Sequence, residues 1–291
     1  MAEPYSPLRY PGGKAKITDF LAKVIELNDI SDPHYVEPYA GGAGAALSLL
    51  VQEYVESITI NDADPRIYSF WRAITEHNDN FIERLESIDV SVDEWHRQRK
   101  IYQDGNVTKF FELGFATFYL NRTARSGIIH NGGPIGGYDQ KGNYKIDARF
   151  NRTALVRRIR RIGVYADRID VSSADGLSLL KTINKSPIRA AGAFVYLDPP
   201  YYVKGGDLYL NTFTHTQHKR LAEYLRNSKR FPWIMTYDNV EAIRSLYREF
   251  NQTPFDLSYS AYESRKGQEI LIHPDCISVP QSALNLLPKV A

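Results

Sequence analysis

With 291 residues, 43% of them hydrophobic and 24% charged, the chain has the composition of a globular protein long enough for one large domain and a smaller insert. Its 36 basic and 34 acidic residues nearly cancel at +2, so any partner must be read from how charge is distributed. One cysteine, Cys276, excludes an intrachain disulfide and any multi-cysteine metal centre and fits a reducing cytoplasm; no apolar run spans a membrane, and the N-terminus lacks a signal-peptide core.

The first marked feature is YPGGKAKI (10–17). Gly12 and Gly13 make a tight turn that sets the Lys14 ammonium at the start of a helix-like run, placed to meet a ligand carboxylate; a solvated lysine is the plain alternative. HYVEP (34–38) reads as a buried strand ending in Glu37, and EPYAGGAGAALSLL follows it. Glycines 41, 42 and 44 let the chain turn close to a ligand, and a helix expected from near Ala45 offers it free N–H groups. A second strand, SITIND (57–62), ends in Asp62, about 20 residues on, the offset at which an acid accepts from a ribose diol. Glycine loop plus ribose acid fits NAD, FAD or S-adenosylmethionine, but Gly42 to Leu47 lacks the third glycine of a dinucleotide fingerprint and no P-loop motif occurs. S-adenosylmethionine carries a carboxylate for Lys14; NAD does not.

From about Ile67 to Arg168 the strand–helix alternation fails. Helix-like segments, including KFFELGFATFYLN (109–121), precede a glycine-rich loop, GIIHNGGPIGGYDQKGNYKID, read as a mobile β-hairpin, and the region is expected to be an insertion with its own small core. Alternation resumes with strands in RIDVSSAD (168–175), GAFVYLDPP (192–200) and FPWIMTYDN (231–239). Thr214 and Gln217 have capping-box spacing, and Asp238 and Glu241 repeat it. FDLSYSAYESRKGQEILI reads as an antiparallel hairpin with a glycine-containing turn. The expected fold is α/β, a Rossmann-like, doubly wound, mostly parallel sheet with an antiparallel edge hairpin, built from residues 1–66 and 169–291, with a mainly helical insert over 67–168.

Pro199 and Pro200 have no N–H for a sheet ladder, so the fourth strand must stop near Leu197 and leave Asp198 at its carboxyl end, where open parallel sheets bind ligands. Tyr201 and Tyr202 add flat apolar faces. A carboxylate, an unoccupied carbonyl and an aromatic face suit a planar group with an amino donor; the plain alternative is a strand with a proline-capped turn.

SPLRYPGGK, EPYAGGAGAAL, INDAD, SSAD, DPPY and SRKGQEILI, in this order and with a roughly 100-residue insertion before DPPY, resemble the Dam-like (D12 class, alpha group) DNA adenine-N6 methyltransferases over nearly the whole chain. The resemblance implies an enzyme that transfers a methyl group from S-adenosylmethionine to adenine N6 in a short DNA sequence, with the base flipped out. Asp198, Pro199, Pro200 and Tyr201 form the implied catalytic motif, with Tyr201 stacking on the flipped base. Tyr10, Gly12, Gly13 and Lys14 are implied to contact the cofactor, Glu37, Pro38, Tyr39, Ala40, Gly41, Gly42 and Gly44 to wrap its methionine part, Asp62 its ribose and Asp175 its adenine amino group, with Asp198 also beside it. No metal is expected: His215 and His218 stand i, i+3 without a cysteine or acid partner.

The insertion is the implied DNA-recognition domain. In LNRTARSGIIHNGG, Asn121, Arg122 and Arg125 are implied to orient the loop or touch DNA, and Asn131 and Tyr138 of the glycine-rich stretch join them. Arg149, Arg152, Arg157 and Arg158, followed by Arg160, Arg161 and Arg168, flank a helical face formed by Leu155, Ile159 and Ile162, and suit phosphates; a solvated helix face is the alternative. Many GATC-methylating members carry Asn-x-x-Gly-x-Phe-Asn-Val-Pro after the Asn-Arg element, and this chain reads HNGGPIGGYDQKGNYKIDARFN instead. Double-stranded DNA is the implied partner in a bacterial or phage-infected cytoplasm, with a cognate restriction nuclease beside it and a monomer, or alternatively a dimer, on DNA. The rival readings are a methyltransferase of RNA or protein glutamine, a non-catalytic DNA-binding relative and a NAD-dependent oxidoreductase.

Overall fold

The computed structural model describes residues 4–9, 17–127, 129–130, 132–186, 190, 192–203, 213–228, 230–258 and 266–280. β1 (His34–Glu37), β2 (Ser57–Asn61), β3 (Ile169–Ser172), β4 (Ala193–Leu197) and β5 (Trp233–Asp238) run parallel, and β6 (Asn251–Ser258) and β7 (Lys266–His273) close one edge antiparallel. The order is β3-β2-β1-β4-β5-β7-β6. The chain therefore builds outward from β1 to β3, crosses back, and lays β4 on the other side of β1. That reversal opens a crevice between the carboxyl ends of β1 and β4, where ligands of such sheets bind. This is the expected α/β architecture.

Strand side chains alternate between faces, and both faces are covered. Tyr35, Phe194, Tyr196 and Ile234 pack with α1 (Thr18–Leu27), α2 (Gly44–Val51), α3 (Pro65–Glu76), α4 (Asn78–Ser87), α5 (Val92–Asp104), α6 (Phe110–Thr123) and α7 (Arg152–Val164). Val36, Val195, Leu197 and Met235 pack with α8 (Gly176–Lys185), α9 (His215–Asn227) and α10 (Glu241–Leu246). None of the described helices is long and apolar enough to cross a membrane. Pro254, which has no N–H to donate, is tolerated because β6 is the edge strand.

Several local expectations are corrected. The inserted helices have no core of their own: Phe70, Phe81, Phe118 and Ile159 belong to the cluster that also holds Phe20, Leu49 and Ile58. Among its described residues the glycine-rich loop is a series of turns, with one isolated bridge from Ala124 to Pro134 in place of a hairpin. The Gln140 side chain holds it, donating to the Ile135 and Gly137 carbonyls and accepting from the Ile146 N–H. Gly267 lies inside β7 opposite Leu257, not in the turn of the last hairpin. The Thr214–Gln217 capping box forms, but Val240 is the N-cap of α10 and Asp238 is engaged elsewhere.

α6 crosses α3 at backbone contact, since a Cβ on Gly114 would lie 2.3 Å from the Ser69 carbonyl oxygen and 2.9 Å from the Phe70 Cα. Beside this crossing the Phe70 and Phe118 rings stack at 5.9 Å. Gly114→Ala is predicted to force the helices apart and destabilise the protein by about 1–3 kcal/mol. A lower urea midpoint at unchanged m-value is the expected result.

Candidate active site

Polar residues stand at or just past the carboxyl ends of four neighbouring parallel strands, β3, β2, β1 and β4. Glu37, the last residue of β1, is buried and accepts through Oε1 from the Tyr35 hydroxyl (2.9 Å) and the Ala46 N–H (3.0 Å) in the first turn of α2. Burial pushes its carboxyl up to about 8; the hydrogen bonds from Tyr35 and Ala46 oppose the rise and nearby Asp198 adds to it. The loop between them turns through two left-handed residues, Gly41 (φ 47°) and Ala43 (φ 45°), and Gly44 opens the helix. Pro38, Ala40, Gly41 and Gly42 are buried, Tyr39 and Gly44 half-buried.

Asn61 ties the ends of β1, β2 and β3 together. Its amide donates to the Pro38 (2.8 Å) and Ala174 (2.9 Å) carbonyls and accepts from the Ala174 N–H (2.9 Å), with no exposed surface. Next to it the Asp62 carboxylate accepts from the Gly41 and Asp64 N–H groups, both at 2.9 Å, which leaves each oxygen a further lone pair. Burial raises Asp62 to about 6. Asp175 caps α8, accepting from the Ser178 N–H (3.0 Å), and faces solvent. The Tyr39 ring lies over Gly176, where a Cβ would come within 2.4 Å of it. From the insertion, the Trp71 indole N–H donates to the Gly41 carbonyl (2.9 Å) and props the loop.

Across the crevice, β4 ends at Leu197 and Asp198 follows, half-buried, before buried Pro199. Thr236 on β5 donates to Asp198 Oδ1 (3.2 Å) and in turn receives the Tyr196 hydroxyl (2.6 Å). Tyr201 is buried and donates to Glu269 on β7; the Tyr202 and Val203 N–H groups donate to the Asp238 carboxylate at 3.0 and 2.9 Å. His218 is buried on the Tyr237 hydroxyl, held down to about 4 by burial, and His215 meets the Tyr202 hydroxyl; no metal-binding cluster occurs among the described residues.

Asn121 of the insertion grips the N-terminal segment: its amide accepts from the Arg9 N–H and donates to the Arg9 carbonyl, both at 2.7 Å. Tyr10, Gly12, Gly13 and Lys14, which follow Arg9, lie outside the described residues, as does Asn131. Arg122 is buried, its Nε has no hydrogen-bond partner, and burial together with Arg9, Arg158 and Arg149 pulls its guanidinium down to about 9. Arg125 and Arg149 are exposed, and Tyr138 is exposed and stacked on His96 at 5.6 Å.

The arginines of α7 divide. Arg152 donates to the Leu85 and Ile88 carbonyls and anchors the helix, and Arg168 pairs with Glu53 at 2.9 Å. Arg158 donates to the Ser6 carbonyl and belongs with Arg122, whereas Arg157, about 100° further round the helix, lines a separate groove with Arg160, Arg161 and Glu86. Sequence reading missed Arg9, Asn61, Trp71, Thr236, Asp238 and Glu269 as site residues. The one signal available was position: Asn61 and Asp238 each end a parallel strand, and Glu269 lies within β7 directly opposite Asp238.

A family model described as D12 class N6 adenine-specific DNA methyltransferase matches residues 10–260. The chain is 24% identical over 279 residues to the retron Ec67 DNA adenine methylase of Escherichia coli, covering 91% of this chain and 89% of that one. It is 22% identical over 271 residues to the type II methyltransferase M.CviBI of Paramecium bursaria Chlorella virus NC1A, covering 90% and 95%.

The buried carboxyl of Glu37 gives a pH prediction. A carboxyl with an ordinary value of 4.5 and a folded value near 8 binds its proton more tightly in the native state, so that contribution to stability is lost as pH rises through this window. Glu37→Gln cannot ionise and is predicted to flatten the fall in melting temperature of the ligand-free protein from pH 5 to 8. An unchanged slope would mean that Glu37 is not the group responsible.

Proposed function

The chain belongs to the D12 class N6 adenine-specific DNA methyltransferases, and from that premise we propose that it takes the methyl group of S-adenosylmethionine and places it on N6 of an adenine flipped from a short DNA sequence into the crevice beside Asp198. The observation that carries this reading is the strand order. Glu37, Asp62 and Asp175 follow one another across β1, β2 and β3, with neighbouring strands about 4.8 Å apart. Their sequence matches an ammonium, a ribose diol and an adenine amino group along one extended molecule. The loop with left-handed Gly41 and Ala43 brings backbone and the α2 N-terminus to the first of these. When bound, that molecule supplies a methyl group on a positively charged sulfur open to attack.

An adenine amino nitrogen is a poor nucleophile because its lone pair is delocalised into the ring. The Asp198 carboxylate and the Pro199 carbonyl, accepting its two N–H bonds, make the nitrogen more tetrahedral and free the lone pair for the methyl carbon. With the cofactor's methyl group transferred to that nitrogen, the Asp198 carboxylate would be placed to take up the surplus N6 proton. Thr236, itself held by Tyr196, fixes one Asp198 oxygen. The N6 atom is unreachable inside a duplex, which is why the base must be extruded. Buried Arg122 with Arg9, Arg149 and Arg158 around it supports a phosphate contact at the mouth of the crevice.

Two outcomes are expected. Asp198→Ala abolishes methyl transfer to DNA while the protein still binds DNA in a gel-shift assay; transfer at the wild-type rate would remove the mechanism. Arg149→Ala lowers the slope of log K against log salt by about 1 for every DNA sequence, whereas Arg157→Ala, in the groove on the other flank, leaves that slope in place.

A further inference from the structure

Asp238 and Glu269 are directly opposed in the antiparallel β5–β7 pair, on the face that also carries Thr236. Asp238 is 6% exposed and Glu269 is 1% exposed. Like charges directly opposite on a sheet are destabilising, and burial sharpens the cost. A sheet selected for stability alone has no use for two carboxylates there, so their partners are informative. The Asp238 oxygens divide between two successive backbone donors, Tyr202 N–H (3.0 Å) and Val203 N–H (2.9 Å). Glu269 takes the Tyr201 hydroxyl. All these donors lie in the turn that begins with Asp198. Pro199 and Pro200 contribute no N–H, so the backbone of these two residues donates nothing to a neighbouring strand. The two carboxylates tie the second half from behind.

We infer that Asp238 and Glu269 are positioning residues that grip residues 201–203 and thereby fix the Tyr201 ring and the Asp198–Pro199 acceptors relative to the bound base. The inference rests on the reading of Asp198–Tyr201 as the reacting turn. Neither carboxylate touches the reacting atoms; each acts through the turn. The hydroxyl of Tyr201 is then an anchor, and its ring face is the part presented to the base. A displacement on the order of 1 Å in such a site costs about 100-fold in rate, so the grip matters even though its groups are remote from the chemistry.

Two readouts test it. The first, independent of activity, is amide hydrogen exchange: Asp238→Ala is expected to speed exchange at Tyr202 and Val203 by roughly tenfold or more, as loss of bonds to a charged acceptor does, with the α9 amides unchanged. Equal protection in the variant would overturn the grip. The second is single-turnover methyl transfer at saturating DNA and S-adenosylmethionine. Glu269→Leu and Tyr201→Phe should each slow transfer by on the order of 10- to 100-fold, the double variant no further than either, and Glu269→Gln, whose amide oxygen still accepts from the phenol, should recover most of the rate with cofactor affinity unchanged throughout. Additive losses, or a Glu269→Leu rate equal to wild type, would overturn the positioning role. If wild-type protein transfers no methyl to DNA, the proposed reaction fails, and the exchange measurement still decides whether the carboxylates hold the turn.

Discussion

Two consecutive prolines after Asp198 have no N–H to give, and the rest of the carboxyl edge depends on that constraint. β4 must end at Leu197, in the strand position beside β1 where the order of the sheet reverses. The carboxylate is left just past the end of the strand, with the Pro199 carbonyl beside it. Everything else at the edge answers a need this creates: Thr236 orients the acid, Asp238 and Glu269 hold the turn beyond it, and Asn61 locks the facing strand ends to one another.

The inserted helices are built into the frame of the sheet. Trp71 supports the glycine loop, Asn121 grips both sides of Arg9, and the phenylalanines of α3, α4 and α6 merge with the core under β1 and β2. A shift in the inserted helices is thus felt directly by the loop after β1. Buried Arg122 lies close enough to Arg9, Arg158 and Arg149 for all three to lower its guanidinium, with burial as the larger cause.

Much of this was legible in the sequence because the relevant rules are local. Short apolar runs ending in a polar or acidic residue mark the five parallel strands, the prolines mark the end of β4, and Thr214 with Gln217 marks a helix start through hydrogen bonds within four residues. What escaped depended on partners far along the chain. Asp238 has the spacing of a capping residue before α10, but its carboxylate is claimed by N–H groups 36 and 35 residues earlier. Glu269 reads as the polar member of an alternating edge strand, yet β7 inserts between β5 and β6 and buries it. Arg152 and Arg168 look like part of a phosphate-binding run, and their geometry spends them on backbone carbonyls of α4 and the approach to β2. The consecutive residues Arg157 and Arg158 look equivalent until the helix turns them to different flanks.

The central claim is that the crevice between β1 and β4 brings a methyl donor and an adenine of DNA to Asp198. Its most direct test is to express the chain in a methylation-deficient host and map N6-methyladenine across the host DNA by single-molecule sequencing. The account predicts one short sequence motif modified throughout the genome. Folded protein that binds S-adenosylmethionine and leaves no adenine of the host DNA modified would contradict it.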